Sequence, residues 1–254
     1  MTDSNKPDPH FNSSPAIDLA GDEIHVWSAS LVQPENVVAN LTELLSDDEK
    51  ARANRFYFAK DRAHFIVGRG LLRKFLGNYL GLDPAWVAFD YGPFGKPALK
   101  AGEITHTLQF NLSHSNGLAL YAFGWNRALG IDVEYVRAMA NEDDFAAQIF
   151  SASESALIAS LAGDQKRRAF FKIWTCKEAF FKASGDGLTR PIDQAEIAID
   201  AEENARLVSI AGDRKQALGW RLKTFQPGIN YQAALAFQGN QAKIRYREIE
   251  RYLA

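Results

Sequence analysis

Hydrophobic and polar positions follow two periods along this chain, and the switches between them divide it into elements. Period-two stretches, whose side chains fall on alternate faces, predict strands in DEIHVWSASL (22–31) and ALGIDVEYV (128–136), and a hairpin in LQFNLSHSNGLALYAFG (108–124) turning near Asn116-Gly117. AEIAID, GWRLKTFQ and YQAALAFQ close the chain as further strands. Apolar residues three and four apart predict one or two helices over 46–81, with a capping box at Ser46-x-x-Glu49. The same spacing predicts a helical stretch over 145–161 and a long helix over 167–184, while 87–99 reads as a short strand and a Gly/Pro turn.

Strand, capped helix and long helix recur at an offset of 105 residues. Ile24-His25-Val26 falls on Leu129-Gly130-Ile131, Ser46-x-x-Glu49 on Ser151-x-x-Glu154, Arg62 on Arg167, Phe65 on Phe170 and Phe75 on Phe180. The expected architecture is an α+β fold, a pseudo-twofold pair of half-domains over 21–126 and 127–254, each a small antiparallel sheet packed on a long helix. The halves would join at GWNRAL, and the cleft between them is where a ligand is expected. Residues 1–20, polar and Pro-rich, read as a disordered leader. In this repeat the second half has acids where the first has none: Asp132 matches Trp27, Glu134 matches Ala29 and Glu178 matches Arg73.

Composition narrows the function classes. A 46% hydrophobic, 24% charged chain of 254 residues can build a substantial globular core. A net charge of −2 gives no electrostatic reason to expect nucleic acid as a partner. The single cysteine, Cys176, excludes an internal disulfide and a Cys-based zinc site, and fits a reducing, cytoplasmic setting. No apolar run approaches the ~20 residues of a membrane span, so no membrane partner is expected. No Walker loop, G-x-G-x-x-G or H-E-x-x-H occurs.

Four stretches carry candidate chemistry. In GIDVE, Asp132 and Glu134 lie two apart on a strand, so both carboxylates share one face, about 6–7 Å apart, while Ile131 and Val133 take the other. In WTCKEAFFKASGDGL, Glu178 sits about 40° around the helix from Trp174, with Lys182 about 40° further, on the shoulder of an aromatic face. Gly185 and Gly187 would end that helix. Three carboxylates make an oxygen-only cluster that suits Mg²⁺, which keeps waters and often completes its shell with substrate phosphates. PFGKPAL holds Lys96 in a rigid turn, and NLSHS sets Ser113 and His114 near the hairpin turn. Adjacent strand residues face opposite ways and no G-x-S-x-G elbow is present, so a Ser–His hydrolytic dyad is disfavoured. Taken singly, Glu178–Lys182 also fits a surface i,i+4 pair, D-x-E an edge strand with solvated acids, and Lys96 a solvated turn.

In their order and spacing, FGKPAL, FNLSHS, GIDVE and WTCKEAFFKASGDGL closely resemble the Sfp-type 4′-phosphopantetheinyl transferases, from about residue 22 to the C-terminus. The resemblance implies transfer of phosphopantetheine from coenzyme A to a serine of an apo carrier protein of a fatty-acid, polyketide or peptide synthetase, releasing adenosine 3′,5′-bisphosphate. It implies a pseudo-twofold fold with coenzyme A at the seam, and a pseudo-dimeric chain with that seam already internal is expected to be a monomer. Asp132, Glu134 and Glu178 would be Mg²⁺ ligands, with Lys182 beside the pyrophosphate and Lys177 a second phosphate contact. Glu178 is also the implied general base, directly or through a water. Lys96, Ser113 and His114 would contact the adenine and 3′-phosphate, and Arg52 would reach the 3′-phosphate. Where some members carry a further basic residue, this chain has Glu49. Arg137, Lys166, Arg167 and Arg168 are candidates for docking an acidic carrier. A non-catalytic coenzyme A or carrier-binding module of the same fold is the alternative, disfavoured because all three acids and Lys182 are present. A Mg²⁺ phosphodiesterase such as a nuclease is disfavoured by the acidic charge.

Overall fold

A computed structural model describes residues 17–92, 95–100, 108–139, 141–185 and 191–249. Most of the expected leader, Phe94 and Gly187 lie outside these residues, whereas Ile17 and Leu19 are buried. The fold is α+β and divides into two compact units.

The first unit takes in Leu31–Asp90 with residues 17–19 and 99–100, and is helical. It contains α1 (Glu35–Glu43), α2 (Asp47–Ala53) and α3 (Ala59–Leu80). The 46–81 stretch is thus two helices, the first opened by the Ser46–Glu49 capping box and the second ended by Gly81 in the left-handed region at φ 67°. The sequence pattern did not reveal α1, a nine-residue helix whose larger apolar positions are Val37, Val38 and Leu41, of which only Leu41 is buried. It packs where Gly70 leaves room, since a Cβ there would lie 2.8 Å from Leu41 Cβ. Inside the unit Glu49, 1% exposed, receives Arg73 Nε at 2.6 Å and has Arg69 Nε at 3.2 Å. Arg73 Nη1 also donates to Pro84 O and Val87 O.

The second unit holds Ala20–Ser30, Tyr91–Ala98 and the described chain from 108 onward. Its first sheet has the order β11 (Lys243–Glu248), β1 (Glu23–Ser30), β5 (Leu118–Trp125), β4 (Leu108–Ser115). A second sheet orders β6 (Leu129–Tyr135), β10 (Tyr231–Gln238) and β9 (Trp220–Phe225), and β7 (Ala195–Ile199) pairs with β8 (Ala205–Ile210). All these pairs are antiparallel except β1 with β11. Strand β11 escaped the sequence pattern because KIRYRE is an edge strand, mostly exposed along its length. Strands β1, β4 and β5 group with the C-terminal strands, so this division does not follow the expected 126/127 boundary. The Asn116-Gly117 turn has φ of 45° and 86°, the positive values a two-residue hairpin turn requires.

The stretch over 145–161 breaks into α4 (Glu142–Ile149) and α5 (Ala152–Ala159), the latter opened by the Ser151–Glu154 box. The long helix α6 (Gly163–Ser184) covers one face of the second sheet, where Phe170, Phe171, Ile173, Cys176, Phe180 and Phe181 share a core with Ala234 and Ala236. The other face, with Ile131, Val133, Ala233 and Leu235, packs on Ile24, Val26, Leu120 and Ala122 of the first sheet. Alternation along β6 therefore sends Ile131 and Val133 into the inter-sheet core, and Asp132 and Glu134 to the α6 side.

Candidate active site

Helix α6 and the sheet approach closely at Gly130. A Cβ there would sit 2.5 Å from Ala183 N and nearer still to Ala179 O. Only glycine admits the α6 backbone so close, and Ala179 and Ala183 keep the helix side small as well. That approach brings Lys182 to the acid-bearing strand. Its Nζ donates to Asp132 Oδ1 at 2.6 Å, to Ser113 Oγ at 3.0 Å and to Ile131 O at 3.4 Å. Lys182 thus turns to Asp132 across the helix–strand junction. Lys96, in the turn between β2 (Phe89–Tyr91) and β3 (Pro97–Leu99), donates its Nζ to Lys182 O. Burial, then the charge of Lys182, lowers the Lys96 pKa.

Strand β4 supports β6 through alternate side chains. Asn111 Oδ1 accepts from Ile131 N at 2.8 Å, Ser113 Oγ donates to Asp132 Oδ1 at 2.8 Å, and Ser115 Oγ donates to Glu134 Oε2 at 2.9 Å. His114, between them, is exposed on the opposite side. Structure and sequence agree that Ser113 and His114 diverge, yet Ser113, expected at the adenosine, lies among the acids.

The electrostatics of the cluster are unbalanced. Burial, and then the neighbouring Asp132, push the Glu178 carboxyl above its ordinary value, with Lys182 opposing and Glu134 adding to the shift. Glu134 is raised by burial and by Asp132, against the hydrogen bond from Ser115. Asp132 Oδ2 and Glu178 Oε1 are buried without a hydrogen-bond partner among the described residues. Buried carboxylate oxygens are normally satisfied, so two orphans beside one lysine fit a site completed by a cation. Among the described residues, no three His, Cys, Asp or Glu side chains are already gathered around a metal position.

Lys177 departs from expectation. It is fully buried, forms an ion pair with Glu154 Oε2 at 2.8 Å, and donates to Ala195 O at 2.6 Å and Ile192 O at 3.1 Å. Its ammonium is consumed inside the fold, so the assignment as a phosphate contact is corrected to a structural one. Glu154 completes the knot by accepting from Ser151 N and Ile197 N. The same arrangement joins Glu49 to Arg73 in the other unit, so Glu49 is the capping-box partner of a buried arginine. Helices α3 and α6 start 104 residues apart, which aligns Arg73 with Lys177 and corrects the earlier match to Glu178.

Arg52 is exposed on α2, its guanidinium 5.4 Å from the Phe65 ring centroid. Of the docking candidates, Lys166 pairs with Asp143 at 2.8 Å and Arg167 with Asp164, three residues earlier. Burial pushes the Cys176 thiol up to about 12, which leaves it an inert core residue. Sequence reasoning missed Asn111 and Ser115, and placed Glu154 only as the repeat match of Glu49. The S-x-S alternation facing D-x-E, and the second capping box, were the signals that could have found them.

Two family models match the chain: "4′-phosphopantetheinyl transferase superfamily" over residues 128–236, and "4′-phosphopantetheinyl transferase, N-terminal" over residues 27–123. The 4′-phosphopantetheinyl transferase HetI of Nostoc sp. is 44% identical over 225 residues, covering 89% of this chain and 92% of its own length. The 4′-phosphopantetheinyl transferase Sfp of Bacillus subtilis is 28% identical over 169 residues, covering 66% and 72%. A holo-(acyl-carrier-protein) synthase from Bacillus anthracis, solved with CoA (3′,5′-ADP), shows a faint likeness: TM-score 0.37 and 18% identity, over 44% of this chain and 96% of that one.

Proposed function

The chain belongs to the 4′-phosphopantetheinyl transferase family, and we propose that Asp132, Glu134, Glu178 and Lys182 carry the transfer of phosphopantetheine from coenzyme A to a carrier-protein serine, with Mg²⁺ bound and adenosine 3′,5′-bisphosphate released. The observation that carries this reading is the pair of orphaned buried oxygens, Asp132 Oδ2 and Glu178 Oε1, in a cluster that also holds Lys182. Held there by Asp132, Glu134 and Glu178, Mg²⁺ would neutralise pyrophosphate charge. Lys182, steered by Asp132 and Ser113, presents its ammonium to the leaving phosphate. Glu178, its basicity raised by burial, takes the serine proton directly or through a water. The serine oxygen bonds to the phosphorus that bears pantetheine, the pyrophosphate bridge P–O bond breaks, and the charge leaves on the bisphosphate.

Lys96 lies beside Lys182, which suits it to the phosphate end of coenzyme A, and His114 is exposed and basic, as a contact to the 3′-phosphate requires. The protein acts as a cytoplasmic monomer on carriers of fatty-acid, polyketide or peptide synthetases.

Purified protein is incubated with coenzyme A, Mg²⁺ and a panel of apo carriers, and intact carrier mass is recorded. A gain of one phosphopantetheine, abolished by EDTA and by Glu178→Gln, is expected. Coenzyme A binding with no transfer to any carrier would sink the catalytic reading in favour of a binding module.

A further inference from the structure

The register between β4 and β6 contains a second, unassigned layer. S-x-S on β4 meets D-x-E on β6 with the same separation each time: Ser113 reaches Asp132, and Ser115 reaches Glu134, 19 residues on in both cases. Ser113 also touches Lys182, whereas Ser115 serves Glu134 alone among the acids. We propose that Ser115 is a positioning residue of this transferase, fixing the Glu134 carboxylate for its cation. The proposal rests on the reading of Asp132, Glu134 and Glu178 as the ligand set.

The geometry leaves the Ser115 hydroxyl little choice. It accepts from Tyr135 N at 3.1 Å, so its one proton is directed to Glu134 Oε2 at 2.9 Å. That bond pins one carboxylate oxygen and so orients the group, leaving the other oxygen and the remaining lone pairs to a ligand. The backbone bearing Ser115 is itself tied down. Tyr231 OH donates to Asn116 O at 2.9 Å, and the Tyr231 ring meets Tyr135 edge-on at 5.2 Å, opposite it across the β6–β10 pair. Ser115, Asn116, Tyr231 and Tyr135 thus form a closed loop of contacts around the end of β6. A hydroxyl held this firmly orients the acid it donates to, as residues behind metal ligands commonly do.

The test uses full-length Ser115→Ala and Ser115→Thr proteins. Three quantities are read: Mn²⁺ binding from its electron paramagnetic resonance signal with coenzyme A present, the Mg²⁺ concentration for half-maximal transfer, and the melting temperature. Ser115→Ala is expected to weaken Mn²⁺ binding and raise the Mg²⁺ requirement by about ten-fold. Its rate at saturating Mg²⁺ and its melting should stay near wild type, and Ser115→Thr should recover most of the affinity. Should Ser115→Ala melt early, Ser115→Cys keeps the volume, loses most of the donor strength, and is expected to show the same weakening. Unchanged metal dependence in a variant of an active, Mg²⁺-requiring wild type would overturn the proposal. So would a lower melting temperature and a uniform loss of rate with metal affinity intact. A wild type that neither binds Mn²⁺ nor needs Mg²⁺ would instead overturn the ligand set itself.

Discussion

Lys177→Met separates the two roles this residue could have. Wild-type Nζ satisfies Glu154, Ile192 O and Ala195 O in an interior where Lys177 is 0% and Glu154 2% exposed. Removing the cation strands a buried carboxylate and two carbonyls, a loss of about 3–5 kcal/mol for a buried pair broken on one side. Glu154 keeps Ser151 N and Ile197 N, so the lower end applies. At about 2–4 °C per kcal/mol for a chain of this size, the melting temperature should fall by roughly 6–12 °C. Calorimetry at a temperature where the variant is folded should find coenzyme A affinity within about three-fold of wild type, since no phosphate contact is lost. Glu154→Gln should destabilise as well. The double variant should cost less than the sum of the singles, because both remove one interaction. Wild-type melting together with coenzyme A binding weakened ten-fold or more would refute this and restore Lys177 to the phosphates.

Three further outcomes follow from the same geometry. Gly130→Ala drives a methyl into the α6 backbone and should cost about 1–3 kcal/mol or more while lowering activity, as seen by denaturant unfolding beside a transfer assay; a silent substitution would contradict the close approach at Ala179 and Ala183. Lys182→Ala should lower kcat by about 10²–10³ with folding intact, read by single-turnover transfer, and a change confined to KM would count against a role on the leaving phosphate. Buried His25, beside Glu23, Arg245 and Arg247, has its pKa lowered from 6.5 by burial and then by Arg247, with Glu23 opposing. Below 6.5 the unfolded chain binds the proton that the folded one refuses, so stability falls as pH drops from 7 to 5. His25→Gln should flatten that slope in thermal melts, and an unaltered slope would exclude His25 as a source.

Legibility in the sequence tracked how strongly each element's pattern reports its burial. Strand β6 was readable to the face because Ile131 and Val133 alternate with two acids, and α6 because its aromatic residues recur at helical spacing. Helix α1 and strand β11 were not, one burying a single leucine and the other lying mostly exposed at a sheet edge. In the site, Asp132 and Lys182 were legible and meet directly. The roles of Ser113, Ser115 and Lys177 depend on which neighbour each side chain finds, and spacing along one element does not encode that. Lys177 shows the limit most clearly: the family resemblance made it a phosphate contact, and only its burial and its pairing with Glu154 show its ammonium already taken.

The adjacency of Lys177 and Glu178 then has a physical reading. Neighbours on a helix point about 100° apart, so one can turn inward while the next faces the strand. Lys177 anchors α6 to the capping-box glutamate of α5, and Glu178, half-buried, belongs to the acid cluster. Helix α3 repeats the anchor with Arg73 and Glu49, but its next residue is Lys74, and the strand matched to β6 carries Trp27 and Ala29 in place of Asp132 and Glu134. Both long helices therefore keep the same buried fastening, and only the second has an acid, Glu178, one step beyond it. If that is how the site arose, Lys177→Arg, which keeps the cation type found in α3, should fold and retain more activity than Lys177→Met. An arginine variant as unstable as the methionine one would show that the pocket around Lys177 requires an ammonium, and that the two fastenings are not interchangeable.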